Sequence, residues 1–194
     1  MILRNNQTAP EFSVNDVCGN PIRLSEFRGK KVLLTFYRHV GCPVHHLRFM
    51  QLSKYDQVFR DAGITVIAIF ESSAQNLLKY CQDENFYARL VANPEFDLYQ
   101  LFDIEVNNMK LLYSMYTGVF AKRTAGQKIA RHQFEPEGHR DLLGGEFLID
   151  EEGQIKRVYY NQYLGDHLPV EEILAFVNDP GYAAGIQESP CCEV

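Results

Sequence analysis

The sequence predicts an α/β fold, a central mixed sheet flanked by helices and preceded by a small N-terminal β-hairpin. Three observations predict it. Two unbroken apolar runs, Val32–Tyr37 (VLLTFY) and Ile64–Phe70 (ITVIAIF), are β-branched, aliphatic and aromatic without polar alternation, the pattern of strands buried on both faces of a parallel sheet. The segment between them, Pro43–Ala62, carries Leu47, Met50, Tyr55, Val58, Phe59 and Ala62 near helical spacing and is followed by Gly63, so strand, helix and strand form one βαβ unit. Towards the C-terminus, Glu146–Asp150 and Gln154–Tyr163 flank the turn Glu151-Glu152-Gly153 as an antiparallel hairpin.

The remaining elements follow in order. Phe12–Val14 and Pro21–Leu24, separated by a turn at Cys18-Gly19-Asn20, form the opening hairpin. After the βαβ unit, Ser72 and Ser73 are N-cap candidates for a helix over Ser72–Glu84, which places Leu77, Leu78 and Cys81 on one side. Cys81 there reads as a small core residue. Ala88–Ala92 is a third strand, and Asn93-Pro94 turns into a short helix over Glu95–Phe102. Val106–Leu143 is long for a connection and is expected to be an insertion of one helix plus a loop: an apolar part, Met109–Phe120, then a basic, glycine-containing part. Gly144-Gly145 leads into the late hairpin, Pro169 opens a last helix over Val170–Asn178, and Pro180-Gly181 ends it. One domain over residues 1–182 with a loosely ordered tail, 183–194, is the expected organisation.

At 194 residues and 46% hydrophobic content the chain can bury a substantial core. Its formal charge of −6 is spread along the sequence, which argues against a nucleic-acid or anionic-membrane partner. Neither a secretory signal nor a bilayer-crossing stretch is present, so a cytoplasmic protein is expected. Five scattered cysteines, Cys18, Cys42, Cys81, Cys191 and Cys192, do not form a disulfide framework.

Chemistry concentrates at Cys42. It follows the strand Val32–Tyr37 by the short loop Arg38-His39-Val40-Gly41 and precedes Pro43, the residue type favoured in a first helical turn. Its sulfur is expected to face the free N–H groups of that helix, and those groups, the helix dipole and Arg38 all favour thiolate over thiol. His39, His45 and His46 crowd the same stretch, and His39 or His45 can assist proton transfer. Cys42-Pro43-Val44-His45 is also half of a zinc or copper pattern, but the remaining ligands are missing nearby, so neither a metal nor a cofactor is expected. Cys191 and Cys192, in the tail, are candidate resolving thiols. In the insertion, Met109, Leu112, Met115, Tyr116 and Phe120 make an apolar stripe that can cover the Cys42 pocket or serve as a homodimer face, and Arg123, Arg131 and Arg140 are candidates to bring positive charge there.

The stretch Ala9–Pro43 (APEFSVNDVCGNPIRLSEFRGKKVLLTFYRHVGCP) resembles the entrance of the alkyl hydroperoxide reductase/thiol-specific antioxidant proteins, and the likeness continues through ITVIAIF, Asn93-Pro94 and LLGGEFLIDEEGQIKRVYY. The resemblance implies a thioredoxin-like fold and a thiol-dependent oxidoreductase that takes a peroxide or disulfide substrate. It also implies an external reductant of thioredoxin, glutaredoxin or glutathione type. Tyr37-Arg38, Gly41-Cys42-Pro43 and Gly144-Gly145-Glu146-Phe147 look closest to a peroxiredoxin-like branch that carries Cys-x-x-Cys or a selenocysteine variant at this site. The sequence departs from that pattern. His45 stands where the second cysteine is expected; in an ungapped alignment on Phe36-Tyr37 with typical peroxiredoxins it also falls on their peroxide-attacking cysteine, while Cys42 falls on their threonine. Arg38 replaces their proline, Gly144 their late arginine, and Gly145 the cis-proline of thioredoxin-type reductases.

Three readings stay open on these residues. The first is a single-thiol oxidoreductase with Cys42 as nucleophile, Arg38 as anion stabiliser and His45 or His39 as proton carrier. A thioredoxin-fold binding protein that has lost its chemistry is the second, and a metal-binding module the third.

Overall fold

A computed structural model describes residues 2–81 and 87–178. The opening hairpin pairs β1 (Ser13–Asn15) with β2 (Pro21–Arg23) antiparallel, Val14 opposite Ile22. Its turn is an Asp turn: the Asp16 carboxylate accepts from the N–H groups of Cys18 and Asn20 at 3.1 and 2.8 Å.

β3 (Val32–Tyr37) is the central strand, buried at every position. After it come α1 (Pro43–Ser53) and α2 (Asp56–Asp61), where the periodicity predicts one continuous helix. The Tyr55 amide bonds the Leu52 carbonyl, an i to i+3 turn that tightens and ends α1. Leu52 and Phe59 nonetheless reach the same core, so the apolar period runs straight through the break.

β4 (Thr65–Phe70) returns parallel to β3 and leads to α3 (Ala74–Cys81), whose expected extension to Glu84 lies outside the described residues. Ser73 is the cap, its hydroxyl meeting the Asn76 amide at 3.4 Å, whereas the Ser72 hydroxyl accepts from Val40 N–H at 3.0 Å. β5 (Arg89–Ala92) and α4 (Asp97–Leu101) follow as expected. The insertion then holds two helices, not one: α5 (Asn108–Ser114) and α6 (Val119–Ile129). Asn107 caps α5, accepting from Met109 and Lys110 N–H at 2.9 and 3.1 Å, and Gly118 breaks the pair at φ 78°. β6 (Gly145–Ile149), β7 (Ile155–Tyr160) and α7 (Val170–Asn178) complete the chain.

The main sheet has the order β5-β4-β3-β6-β7, parallel through β3, β4 and β5 and antiparallel through β6 and β7. Strand alternation divides two cores. Val32, Leu34 and Phe36 point to one face, with Ile67, Phe147, Tyr99 and Phe102. Leu33 and Tyr37 point to the other, under α1, α2, α3 and α7 through Phe49, Leu52, Phe59, Leu77 and Phe176. This is the expected mixed sheet flanked by helices. The loop at the carboxyl end of β3, where the parallel and antiparallel parts of the sheet meet, borders a crevice, and the carboxyl ends of strands are where ligands of open α/β sheets usually sit.

Candidate active site

Cys42 sits in that crevice as the N-cap residue of α1, with Pro43 in the first turn. Its amide donates to the His39 carbonyl at 2.9 Å and its carbonyl accepts from His46 N–H at 2.9 Å, so the turn and the helix fix its backbone from both sides. The side chain is only 3% exposed and packs with Val44, Val119, Leu164 and Leu111. Beside the sulfur stands a cation: the Arg38 Nη1 lies 3.7 Å from Cys42 Sγ. A guanidinium at that distance stabilises a negative charge on sulfur more than a neutral thiol.

Three of the sequence-predicted residues therefore take different roles. Arg38 and His39 line the same cavity as Cys42; His45 does not. The His45 ring is fully buried beneath the first turn, between Tyr37 at 5.6 Å and His167 at 5.7 Å. Its Nδ1 accepts the Arg38 amide proton at 2.6 Å, so the proton rests on Nε2. Burial, then the charges of Arg38 and His39, press its pKa down to about 3, against a smaller pull from the Leu143 carbonyl. His45 thus holds the end of β3 and sets where the Arg38 side chain departs. His39 is also pressed down, to about 4, by burial and by Arg38, with Glu137 opposing. Both imidazoles are neutral at pH 7 on these values. His46 does not line that cavity but borders a smaller void beside Cys42, its Nδ1 2.8 Å from the Tyr80 hydroxyl.

The insertion closes the crevice. α6 crosses α1 so tightly that a methyl group at Gly126 would overlap the Pro43 carbonyl, and at Gly41 an added Cβ would stand 2.9 Å from the Phe134 carbonyl oxygen. The loop 130–142 is held by Glu71, whose side chain is 3% exposed and which accepts from the His139 amide at 2.8 Å and meets its Nδ1 at 2.5 Å. Between α5, α6, this loop and the Cys42 turn lies a cavity of about 660 Å³, and Arg123 and Arg140 stand in its lining. Arg131 lines a separate void of about 40 Å³ on the other side of Cys42. Leu112, Met115 and Phe120 of the apolar stripe face the larger cavity; Met109 and Tyr116 do not line it.

Beneath the site, Arg48 of α1 and Glu146 of β6 form a buried ion pair, Nε to Oε1 at 2.8 Å and Nη2 to Oε2 at 3.1 Å. The same groups take the Leu168 carbonyl and amide at 2.7 and 2.6 Å. Sequence reasoning missed this pair, although a glutamate opening an otherwise apolar strand was its signal. Gly144 adopts φ 91°, and an added Cβ there would come within 2.5 Å of the Phe36 carbonyl oxygen, so this position has no room for a side chain. Cys81 lies half-buried, its thiol pushed up to about 12 by burial, in keeping with a packing role. Cys18 is exposed, and neither it nor Cys81 lines a cavity with Cys42; Cys191 and Cys192 lie outside the described residues. Among the described residues no cluster of three or more His, Cys, Asp or Glu side chains could hold a metal.

Known proteins resemble this chain across most of its length. Peroxiredoxin-like 2C of Bos taurus is 21% identical over 175 residues, covering 86% of this chain and 77% of the relative. Peroxiredoxin Bcp of Escherichia coli (strain K12) is 22% identical over 165 residues, covering 85% and 90%. The crystal structure of peroxidoxin BcpB from Mycobacterium tuberculosis superposes with a TM-score of 0.64 at 15% identity, covering 90% of this chain and 96% of that one, which shows the shared thioredoxin-like fold. The model of the AhpC/TSA family matches residues 6–158, and the chain belongs to that family.

Proposed function

We propose that this protein is a single-thiol peroxide or disulfide reductase in which Cys42 is the nucleophile. Family membership and peroxiredoxin relatives support thiol-dependent oxidoreductase chemistry. The observation that carries the assignment to this residue is the Arg38 guanidinium 3.7 Å from a sulfur that faces a cavity at a helix start. With a hydroperoxide, the thiolate attacks the terminal peroxide oxygen. A sulfur–oxygen bond forms, the oxygen–oxygen bond breaks, and its electron pair leaves on the alkoxide oxygen, which takes a proton and departs as the alcohol. Sulfur is oxidised to a sulfenic acid as the peroxide is reduced. Arg38 holds the anionic sulfur and the departing oxygen, His39 borders the cavity through which the proton arrives, and His45 positions the loop. An external thiol of thioredoxin, glutaredoxin or glutathione type condenses with the sulfenic acid, releasing water, and a second equivalent frees Cys42 as a disulfide forms.

Sub-stoichiometric peroxide followed by dimedone and mass spectrometry should label Cys42 ahead of the exposed Cys18. In Arg38→Met, loss of a charged partner worth about 1.5–3 kcal/mol should slow Cys42 labelling roughly tenfold or more. Preferential labelling of Cys18 would overturn the assignment. The low exposure of Cys42 and the imidazole at position 45 favour one other reading, a ligand-binding protein without turnover; that reading expects no dimedone adduct at Cys42 at any oxidant level.

A further inference from the structure

We infer that the outward face of α5 and α6 docks on an anionic lipid surface, its apolar side chains entering the headgroup layer and its arginine and lysine side chains meeting lipid phosphates and carboxylates. This is independent of the chemistry at Cys42. Met109, Leu112 and Tyr113 stand at i, i+3 and i+4 of α5, and Met115, Tyr116 and Phe120 follow around the turn at Gly118. Such spacing ordinarily turns a stripe towards a core. Here the stripe is turned outward: all six side chains are more than half exposed, and Ser114 is the buried residue of α5. Leu112, Met115 and Phe120 line the cavity beside Cys42, whereas Met109, Tyr113 and Tyr116 do not and extend the apolar surface along α5 and its end. An exposed apolar patch of this kind marks a contact surface.

Charge decides what covers it. Residues 106–134 hold Lys110, Lys122, Arg123, Lys128 and Arg131 and no Asp or Glu, in a chain whose total is −6. The average over the chain, which predicts no anionic-membrane partner, conceals this local excess. Arg123 and Lys128 are exposed on α6, and Arg140 joins Arg123 in the lining of the cavity, to which no acidic side chain of the described residues contributes. Two of the lysines are engaged, Lys110 with Glu105 at 2.5 Å and Lys122 with the Gly165 carbonyl. A second copy of the chain matches the apolar stripe but not the charge, since a two-fold contact through this face sets cations against cations. Nucleic acid matches the cations but leaves leucine and methionine side chains against phosphates. A lipid surface satisfies both: acyl chains take the aliphatic groups, headgroups take the cations, and the boundary between them suits Tyr113 and Tyr116, whose rings are apolar with one polar end.

Cosedimentation of the full chain with phosphatidylcholine vesicles, with and without phosphatidylserine, tests this. Binding to the phosphatidylserine vesicles should be about tenfold tighter or more, and rising salt should remove the difference. Met109→Ser/Tyr116→Ser should weaken that binding about tenfold and leave the thermal midpoint unchanged, because both side chains lie in solvent. Arg123→Gln/Lys128→Gln should bring the two vesicle types close to equality. No binding to phosphatidylserine vesicles would overturn the inference, as would binding that neither pair of substitutions alters. A concentration-dependent dimer dispersed by Met109→Ser/Tyr116→Ser would overturn it in favour of a second copy. An oligonucleotide that binds as tightly as the vesicles, and is lost in Arg123→Gln/Lys128→Gln, would overturn it in favour of nucleic acid.

Discussion

At the scale of single residues, His45 shows how one side chain changes role between sequence and structure. Its spacing from Cys42 marks it as a partner in chemistry, but the fold turns its ring inward, where an amide proton from Arg38 occupies Nδ1. A histidine with a pKa of about 6.5 when unfolded and about 3 when folded is neutral in the native state and must remain so. Its contribution is therefore complete above pH 6.5 and is lost as the pH falls from there towards 3, because the unfolded chain binds a proton that the native one excludes. The loss approaches about 1.4 kcal/mol per pH unit for this one group. His39 and His167 act in the same direction. Urea unfolding between pH 6.5 and 4.5 should give a stability slope that is smaller by close to one proton in His45→Gln. An unchanged slope would mean that the imidazole is solvated in the native protein.

At the scale of elements, the site is a strand end, a helix start and an inserted helix, each held by a separate device. Arg48 and Glu146 tie α1 to β6, with side chains 3% and 2% exposed. Removal of one partner leaves a buried charge, so Arg48→Met should cost about 3–5 kcal/mol of unfolding free energy. The double variant Arg48→Met/Glu146→Leu should regain most of that loss. Denaturant midpoints would test this, and a cost below about 1 kcal/mol for the single variant would show that water reaches Glu146. α6 is held differently, by the absence of a side chain at Gly126. Such close crossings leave little trace in the sequence, since a glycine inside a helical stretch reads equally as a weak point in the helix.

At the scale of the whole molecule, regeneration of Cys42 depends on which thiol can reach it. No second cysteine among the described residues lines a cavity with Cys42. The proposed cycle accordingly draws on an external thiol, and Cys191→Ser/Cys192→Ser should turn over peroxide with a small thiol reductant at the wild-type rate. A fall of tenfold or more, or a Cys42 disulfide to either tail cysteine in non-reducing peptide maps, would assign the resolving step to the tail instead.

The order of strands and helices, the position of Cys42 at a helix start and the presence of Arg38 beside it were all legible in the sequence, because they rest on local patterns: apolar runs, helical spacing, Pro43 and short chain separation. The same patterns hid the break at Leu52–Tyr55, since the apolar face continues across it, and left most of α6 as loop, because its basic, glycine-containing stretch carries little apolar periodicity. Tertiary structure alone decided that His45 faces the core while His39 faces the cavity, that Arg48 meets Glu146 across 98 positions of chain, and that Arg123 and Arg140 line the larger cavity beside Cys42 while Arg131 lines the smaller void. Local propensity records where the backbone bends. Which side chains then confront one another follows from the packing of distant elements, and no periodicity in the chain encodes it.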